Sequence, residues 1–430
     1  MKRVLKVFLA LALGLLLLAA AGCGGSKKEE KQPGGGSGAA KEVVIGYTGP
    51  LSGPGAEYGQ DCVTGIEMAI NEINAAGGIT VKDQKYKFKL EKLDDMADPT
   101  NAVNNARRLR NQSKAPAIFN PVFNTIAPML KINEEKGNEF LMMAYTSTPQ
   151  VVKLNNKLVV AIPPPFTAYV KSFTDIAMQK GWKNVAMVIT LGAYGDEWRK
   201  DFKEYWESKG GKITADKPAN YYTEKDFSSQ LTAALATKPD ALLIGGPSAP
   251  TALVIEQARG LGFKGGFILI DQAKMDYIDK MVLKGTKLME NTIGVAAVAQ
   301  IPTAAAPAFD KKYNETYKRM NTWETVLNYG AMHALAKAME AAGTVEDAVA
   351  IRAAFPKVFP TSGDKYPSEV YGISDKGRLN GSAAVQIIKD GKYGPATLYL
   401  FWPKDEKEFN DFKSKVKITG AELKYLKVDE

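Results

Sequence analysis

The stretch "EVVIGYTGPLSGPGAEYGQDCVTGIEMAINEINAAGG", residues 42–78, reads as a strand, a glycine loop and a helix in immediate succession. "EVVIGY" is a short apolar strand. The helix, from about Cys62, places Val63, Ile66, Ile70 and Ile73 on one face and stops at Gly77 and Gly78. A loop of this kind raises the question of phosphate binding, which needs glycines at G-x-G-x-x-G spacing ahead of a helix. Gly53, Gly55 and Gly59 are one residue too far apart for that pattern, and Pro54 has no N–H to donate. The loop is therefore predicted to form a tight turn that presents Tyr58 at the mouth of a cleft.

The same alternation continues along the chain. "YKFKLEKL", "APAIFN" and "FLMMAY" read as strands. "DPTNAVNNARRLRNQ" reads as a helix, with Asp98 as N-cap and Pro99 at its first position, and a further helix is expected near Ile126 to Lys136. The triple proline of "IPPPF" (Pro163 to Pro165) interrupts the rhythm. It resumes with the strand "NVAMVIT", the helix "GDEWRKDFKEYWESKG", the strand "ALLIGG", the helix "APTALVIEQARGLG" and the strand "GFILI". Residues from about Pro302 to Phe355 are Ala-rich and helical, and "AAVQIIKDGKYGPATLYLFWP" reads as two strands around an Asp390–Gly391 turn. Strand and helix in turn define an α/β protein with two blocks of wound parallel sheet. Ligands of such sheets sit beyond the carboxyl ends of the strands. The loops "GPLSGPGAEYG", "NPVFNT", "AYTSTP", "LGAYGDE", "GGPSAP" and "IDQAK" all occupy that position.

The first residues address the chain. Lys2, Arg3 and Lys6 precede "VFLALALGLLLLAAAG" and Cys23, a basic head and an apolar run too short for an ordinary membrane-spanning helix, as in a secretory signal. "AAAGC" resembles the lipobox of bacterial lipoproteins, in which Cys23 becomes diacylated; two acyl chains suffice for stable anchoring. The expected divisions are a signal peptide over 1–22 and a Gly-rich flexible tether over 23–41. Plain cleavage beside an incidental cysteine is the other reading. The 430 residues carry a formal charge of +9, which becomes +6 without the signal. Basic and acidic residues are interspersed without a basic-aromatic stripe, so nucleic-acid binding is not expected. With Cys23 lipidated, Cys62 has no partner and behaves as a small hydrophobe.

Catalytic constellations are lacking. His333 is the sole histidine and sits in an Ala-rich helix, no cysteine cluster offers a zinc site, and no G-x-S-x-G elbow is present. Asp94, Asp95 and Asp98 in "LDDMADP" raise calcium binding or acid–base work, although Asp98 also fits as a helix cap. A binder rather than an enzyme is expected, with no cofactor and no metal.

"GPLSGPGAEYGQDCVTGIEMAINEINAAGGI", "DDMADPTNAV", "AYTSTP", "YGDEW", "EQARGLGF" and "NYGAMHALAKAME" resemble, in order, the leucine/isoleucine/valine-binding protein family, the type I periplasmic binding proteins that deliver solutes to ABC importers. The likeness runs from about Val43 to Tyr393. It implies two Rossmann-like lobes joined by three crossings: lobe 1 from 42–161 plus 296–380, lobe 2 from 162–295 plus 381–430. It also implies hinge closure around one small molecule, an ABC permease and ATPase as partners, a monomer, and a place outside the cytoplasm on a lipid anchor.

Residue by residue, the resemblance puts Tyr58 over the ligand and Thr146, flanked by Ala144 and Tyr145, at its carboxylate. Tyr194 covers it on closure and Asp271 pairs with an α-ammonium, which needs such a partner when buried. Val122 and Phe123 stand where the family uses serine, leaving Asn124 and Thr125 as the nearest polar groups, and Pro247 stands where an aromatic is common. Phe123 and Tyr145 could stack on a ring, so the solute is expected to be amino-acid-like or a carboxylate: a branched-chain amino acid, an aromatic acid or an amide. Plainer roles stand beside these. Tyr58 and Tyr194 could pack loop surfaces, Thr146 could satisfy its turn, Asp271 could cap a helix and Phe123 could be core. A sensor ectodomain feeding a separate signalling partner is the alternative function.

Overall fold

The computed structural model describes residues 39–301, 303–418 and 420–428. The expected signal peptide, Cys23 and most of the expected tether lie outside the described residues; the tether's last residue, Lys41, already opens the first strand.

Two sheets organise the chain. The first runs β2-β3-β1-β4-β5-β6, from β1 (Lys41–Gly49), β2 (Ile79–Val81), β3 (Gln84–Asp94), β4 (Ala117–Asn120), β5 (Leu141–Ala144) and β6 (Val159–Ala161). All its pairings are parallel except the short β2 hairpin on β3. The second runs β15-β14-β12-β11-β10-β9-β7-β8. Its parallel half holds β7 (Asn184–Ile189), β8 (Lys212–Asp216), β9 (Ala241–Gly245), β10 (Gly266–Leu269) and β11 (Thr292–Val295). β12 (Ala383–Lys389) joins antiparallel; β13 (Lys392–Tyr393) and β14 (Ala396–Leu400) pair with it, and β15 (Ala421–Tyr425) closes the edge. The Val/Ile/Leu/Met-rich runs of β4, β5, β9 and β10 are buried at every position, as strands covered on both faces must be.

Helices cover both sheets. On the first lie α1 (Ala56–Ala75), α2 (Pro99–Asn111), the short α3 (Phe123–Met129) and α4 (Gln150–Lys153). On the second lie α5 (Phe166–Gln179), α6 (Ala193–Ser208), α7 (Ser228–Leu235), α8 (Ser248–Gly260) and the single turn α9 (Met275–Tyr277). The Ala-rich region forms α10 (Ala306–Tyr317), α11 (Trp323–Ala342) and α12 (Ala348–Ala354), and α11 packs on α1 in the core of the first sheet. The chain thus crosses between the halves three times: after β6 through Ile162–Pro165, after β11 into α10 and α11, and after Arg378 back into β12. This is a fold of two Rossmann-like lobes.

Several boundaries differ from the sequence reading. α1 begins at Ala56, not near Cys62, because Gly59 is drawn into the helix: a Cβ there would collide with the Pro50 carbonyl, and only glycine allows this approach. Tyr58 is therefore a buried residue of the first helical turn rather than an exposed loop tip. α3 starts at Phe123, three residues before the expected helix, and ends around Pro128. Asp98 caps α2 as expected, accepting from Asn101 N at 2.8 Å. Asp94 accepts from Leu51 N, Met96 N and the Ser52 hydroxyl, and Asp95 from Ala97 N, the Thr48 hydroxyl and Asn120 Nδ2. The acidic run thus ties loops together. Cys62 is a buried thiol with no disulfide partner among the described residues, and His333 packs between the rings of Tyr329 and Tyr366.

Candidate ligand site

Where the carboxyl ends of the two sheets face each other lies a small cavity. Tyr58, Phe123, Tyr145 and Thr146 line it from the first lobe, and Tyr194 and Asp271 from the second. Six of the eight residues singled out by sequence thus meet at one place. The other two have different positions. Ala144 ends β5 inside the first lobe's core, its carbonyl accepting from Ile162 N. Asn124 reaches across the cleft, and its Oδ1 accepts from Ala193 N at 2.6 Å, at the start of α6. The loop "GGPSAP" does not line the cavity; its Ser248 hydroxyl accepts from Lys274 N instead.

Each wall is held in place by identifiable contacts. The Tyr58 hydroxyl donates to Pro121 O at 3.2 Å, and the Tyr58 ring lies 6.1 Å from that of Tyr145. Arg378, fully buried at the third crossing, donates to the carbonyls of Thr146, Thr148 and Pro163. One guanidinium thereby fixes both the "AYTSTP" loop and the proline crossing. Asp271 Oδ1 accepts from the Tyr194 hydroxyl at 2.6 Å and from Trp198 Nε1 at 2.8 Å. Both donors lie on α6, so Asp271 faces the cavity with its carboxylate oriented by a neighbouring helix rather than capping the turn that follows it. Burial raises the Tyr58, Tyr145 and Tyr194 hydroxyls well above the ordinary phenol range, so all three are neutral donors at physiological pH.

Seven further residues line the cavity; five fall in loops the sequence placed there, and Tyr222 and Pro163 do not. Tyr222 packs its ring against Gly55 of the opposite lobe. Pro163 contributes from the crossing, and Gln272 and Lys274 sit beside Asp271. Lys274 Nζ donates to Glu324 Oε1 at 2.8 Å, an ion pair with side chains only 7% and 2% exposed, and to the Asp271 carbonyl. Glu324 lies in the first turn of α11 and has no sequence neighbour that could have marked it. Further contacts join the lobes. Glu57 Oε1 accepts from Ala249 N of α8 at 3.3 Å, and Glu197 Oε1 of α6 accepts from Gln150 N of α4 at 3.1 Å. With Asn124, three acceptors thus reach helix N-termini of the opposite lobe, where orphan N–H groups are available. Glu57, desolvated and near Asp61 and Glu324, is pushed up to about 8; Glu197, desolvated and near Asp201, to about 7.

An aromatic-walled cavity between two α/β lobes, with a carboxylate on one side and a hydroxyl-bearing loop on the other, has the make-up of a solute-binding site. The model of the periplasmic binding protein family matches residues 42–392, and the chain belongs to that family of extracytoplasmic solute-binding proteins. A Leu/Ile/Val-binding protein of Rhizobium johnstonii is 29% identical over 75% of this chain and 86% of its own length. The Leu/Ile/Val-binding protein of Escherichia coli K12 is 25% identical over 53% of this chain; the match spans 61% of that relative, less than two thirds. Among solved structures, a leucine-binding protein from Thermotoga maritima superposes with a TM-score of 0.69 at 25% identity, covering 82% of this chain and 97% of the other. No helix among the described residues is long and apolar enough to cross a membrane.

Proposed function

We propose that this protein is the solute-binding component of an ABC importer and that it captures one amino-acid-like or carboxylate solute by closure of its two lobes. The observation that carries the reading is the convergence of Tyr58, Tyr145 and Thr146 with Tyr194 and Asp271 on one cavity, from opposite sheets. In it, Asp271 pairs with the solute's ammonium, and Thr146 with the backbone of its loop receives the carboxylate. Tyr58 and Tyr194 cover the solute from the two sides. The names of the relatives make branched-chain aliphatic amino acids the first candidates. Phe123, Tyr145 and Tyr222 add flat apolar wall, which extends the candidates to aromatic amino acids and aromatic acids.

Closure brings the Lys274–Glu324 pair and the three cross-lobe caps together, and the closed form is what the permease and its ATPase partner recognise. The division into lobes at 161/162, 295/296 and 380/381 places the hinge at the three crossings, with Arg378 beside it. Lipidation of Cys23 holds the protein, as a monomer, on the outer face of the cytoplasmic membrane or at the cell surface. A thermal-shift panel of aliphatic and aromatic amino acids, aromatic acids and amides tests the reading. A solute at about a hundred times its Kd adds about 2.7 kcal/mol, a shift of several degrees at this size. No shift with any of them contradicts it.

A further inference from the structure

Gln272 lines the cavity beside Asp271 and is 6% exposed. Its Nε2 donates to the Tyr222 hydroxyl at 2.9 Å, which fixes the plane of the amide. Its Oε1 is buried and accepts no hydrogen bond from any described residue. A buried amide oxygen left without a donor carries an uncompensated desolvation penalty, so its presence on a cavity wall points to a donor that arrives with the ligand. Asp271 offers the same opening. Oδ1 is occupied by Tyr194 and Trp198, and Oδ2 accepts from none of the described residues. Lys274, the nearest cation, is turned to Glu324 and to the Asp271 carbonyl. Two neighbouring acceptors without donors, one charged and one neutral, complement a group with at least two N–H bonds and a positive charge.

We propose that Gln272 is a specificity-determining residue that accepts a second hydrogen bond from the solute's ammonium group, alongside Asp271. This rests on the solute-binding reading and narrows it: the solute is a primary or secondary amine rather than a simple carboxylate or an aromatic acid without nitrogen. A site with buried hydrogen-bonding groups rejects analogues that leave those groups unpaired, far more strongly than a hydrophobic wall rejects a lost methylene.

Calorimetric titration of the full chain with L-leucine, L-isoleucine, L-valine and L-phenylalanine tests it, on the wild type, Gln272→Met and Gln272→Glu. Melting temperatures are measured in parallel. For whichever probe binds the wild type, Gln272→Met should weaken binding at least tenfold. Gln272→Glu, which keeps the shape and adds charge at the acceptor, should bind within threefold of the wild type or tighter at pH 8. It should also make affinity fall as pH drops through the carboxyl's titration, a dependence that a purely structural residue would not create. Wild-type binding with no loss in Gln272→Met overturns the inference alone. So does an equal loss in both variants, because the amide nitrogen would then be facing the solute's carboxylate. Binding by none of the four probes overturns the inference and counts against the functional reading beneath it.

Discussion

Lys274 and Glu324 meet at 2.8 Å across the cleft, one in the loop that follows β10 of the second sheet, the other in the first turn of a helix packed in the first lobe. Neither residue belongs to a recognisable motif, yet the pair sets the charge of the cavity. Glu324 pairs with Lys274, which leaves the Asp271 carboxylate as the charged group on the cavity wall without an ion-pair partner among the described residues. Removing one member of a buried pair strands the other and costs about 3–5 kcal/mol, whereas replacing both with apolar residues is often nearly neutral. Lys274→Met and Glu324→Gln should each lower the stability of the closed form by amounts in that range. Lys274→Met combined with Glu324→Leu should recover most of it. A double-mutant cycle on melting temperature reads the coupling; additive losses would mean that the pair does not act as a unit.

Gly55 and Tyr222 provide a steric test of closure. A Cβ on Gly55 would sit 2.6 Å from the Tyr222 ring of the opposite lobe, while Gly55 itself has an ordinary backbone conformation (φ −89°). Gly55→Ala should therefore fold normally and bind solute at least tenfold more weakly, because only the closed form meets the clash. Tyr222→Ala in the same chain should relieve part of the loss. A Gly55→Ala protein with wild-type affinity would show that the lobes need not approach this closely.

Asn124 tests the cross-lobe caps. Loss of a capping acceptor costs about 0.5–2 kcal/mol, so Asn124→Ala should reduce affinity roughly fivefold through the closed-state population, at about 1.4 kcal/mol per factor of ten. Because Asn124 lies outside the cavity, the order of preference among solutes should not change. A changed order would place Asn124 on the ligand.

Glu57 and Glu197 make stability depend on pH. In the unfolded chain both titrate near the ordinary glutamate value, whereas in the folded protein burial pushes them up to about 8 and about 7. The folded state therefore holds more protons between about pH 4.5 and 8, and these groups' contribution to stability falls as pH rises through that window. Melting temperature should decline from about pH 5 to 8, and Glu57→Gln should flatten much of the decline. A slope that is unchanged in Glu57→Gln would contradict the assignment.

Much of this was legible in the chain because alternation of apolar runs and amphipathic helices is a local signal. β1, β4, β5, β7, β9 and β10 fall where their apolar runs predict. β8, whose positions are partly exposed, and the four-residue β11 carry too little pattern, and β15 lies in a tail with only alternate half-burial. Gly59 misled the placement of α1 because its role is a tertiary approach to Pro50, invisible at the level of propensity. Tyr58, Thr146, Tyr194 and Asp271, which line one cavity, were singled out through resemblance of short loops. Glu324, Tyr222 and Arg378 reach the site only through the crossings and the packing of distant segments, so nothing near them in sequence announces their part.

Small-angle scattering of the full chain, with and without the solute that gives the largest thermal shift, tests the central claim most directly. One bound molecule per chain should reduce the radius of gyration in the wild type and leave it unchanged in Gly55→Ala at equal occupancy. A solute that binds stoichiometrically while the wild-type profile stays the same would contradict closure of the two lobes on a single guest.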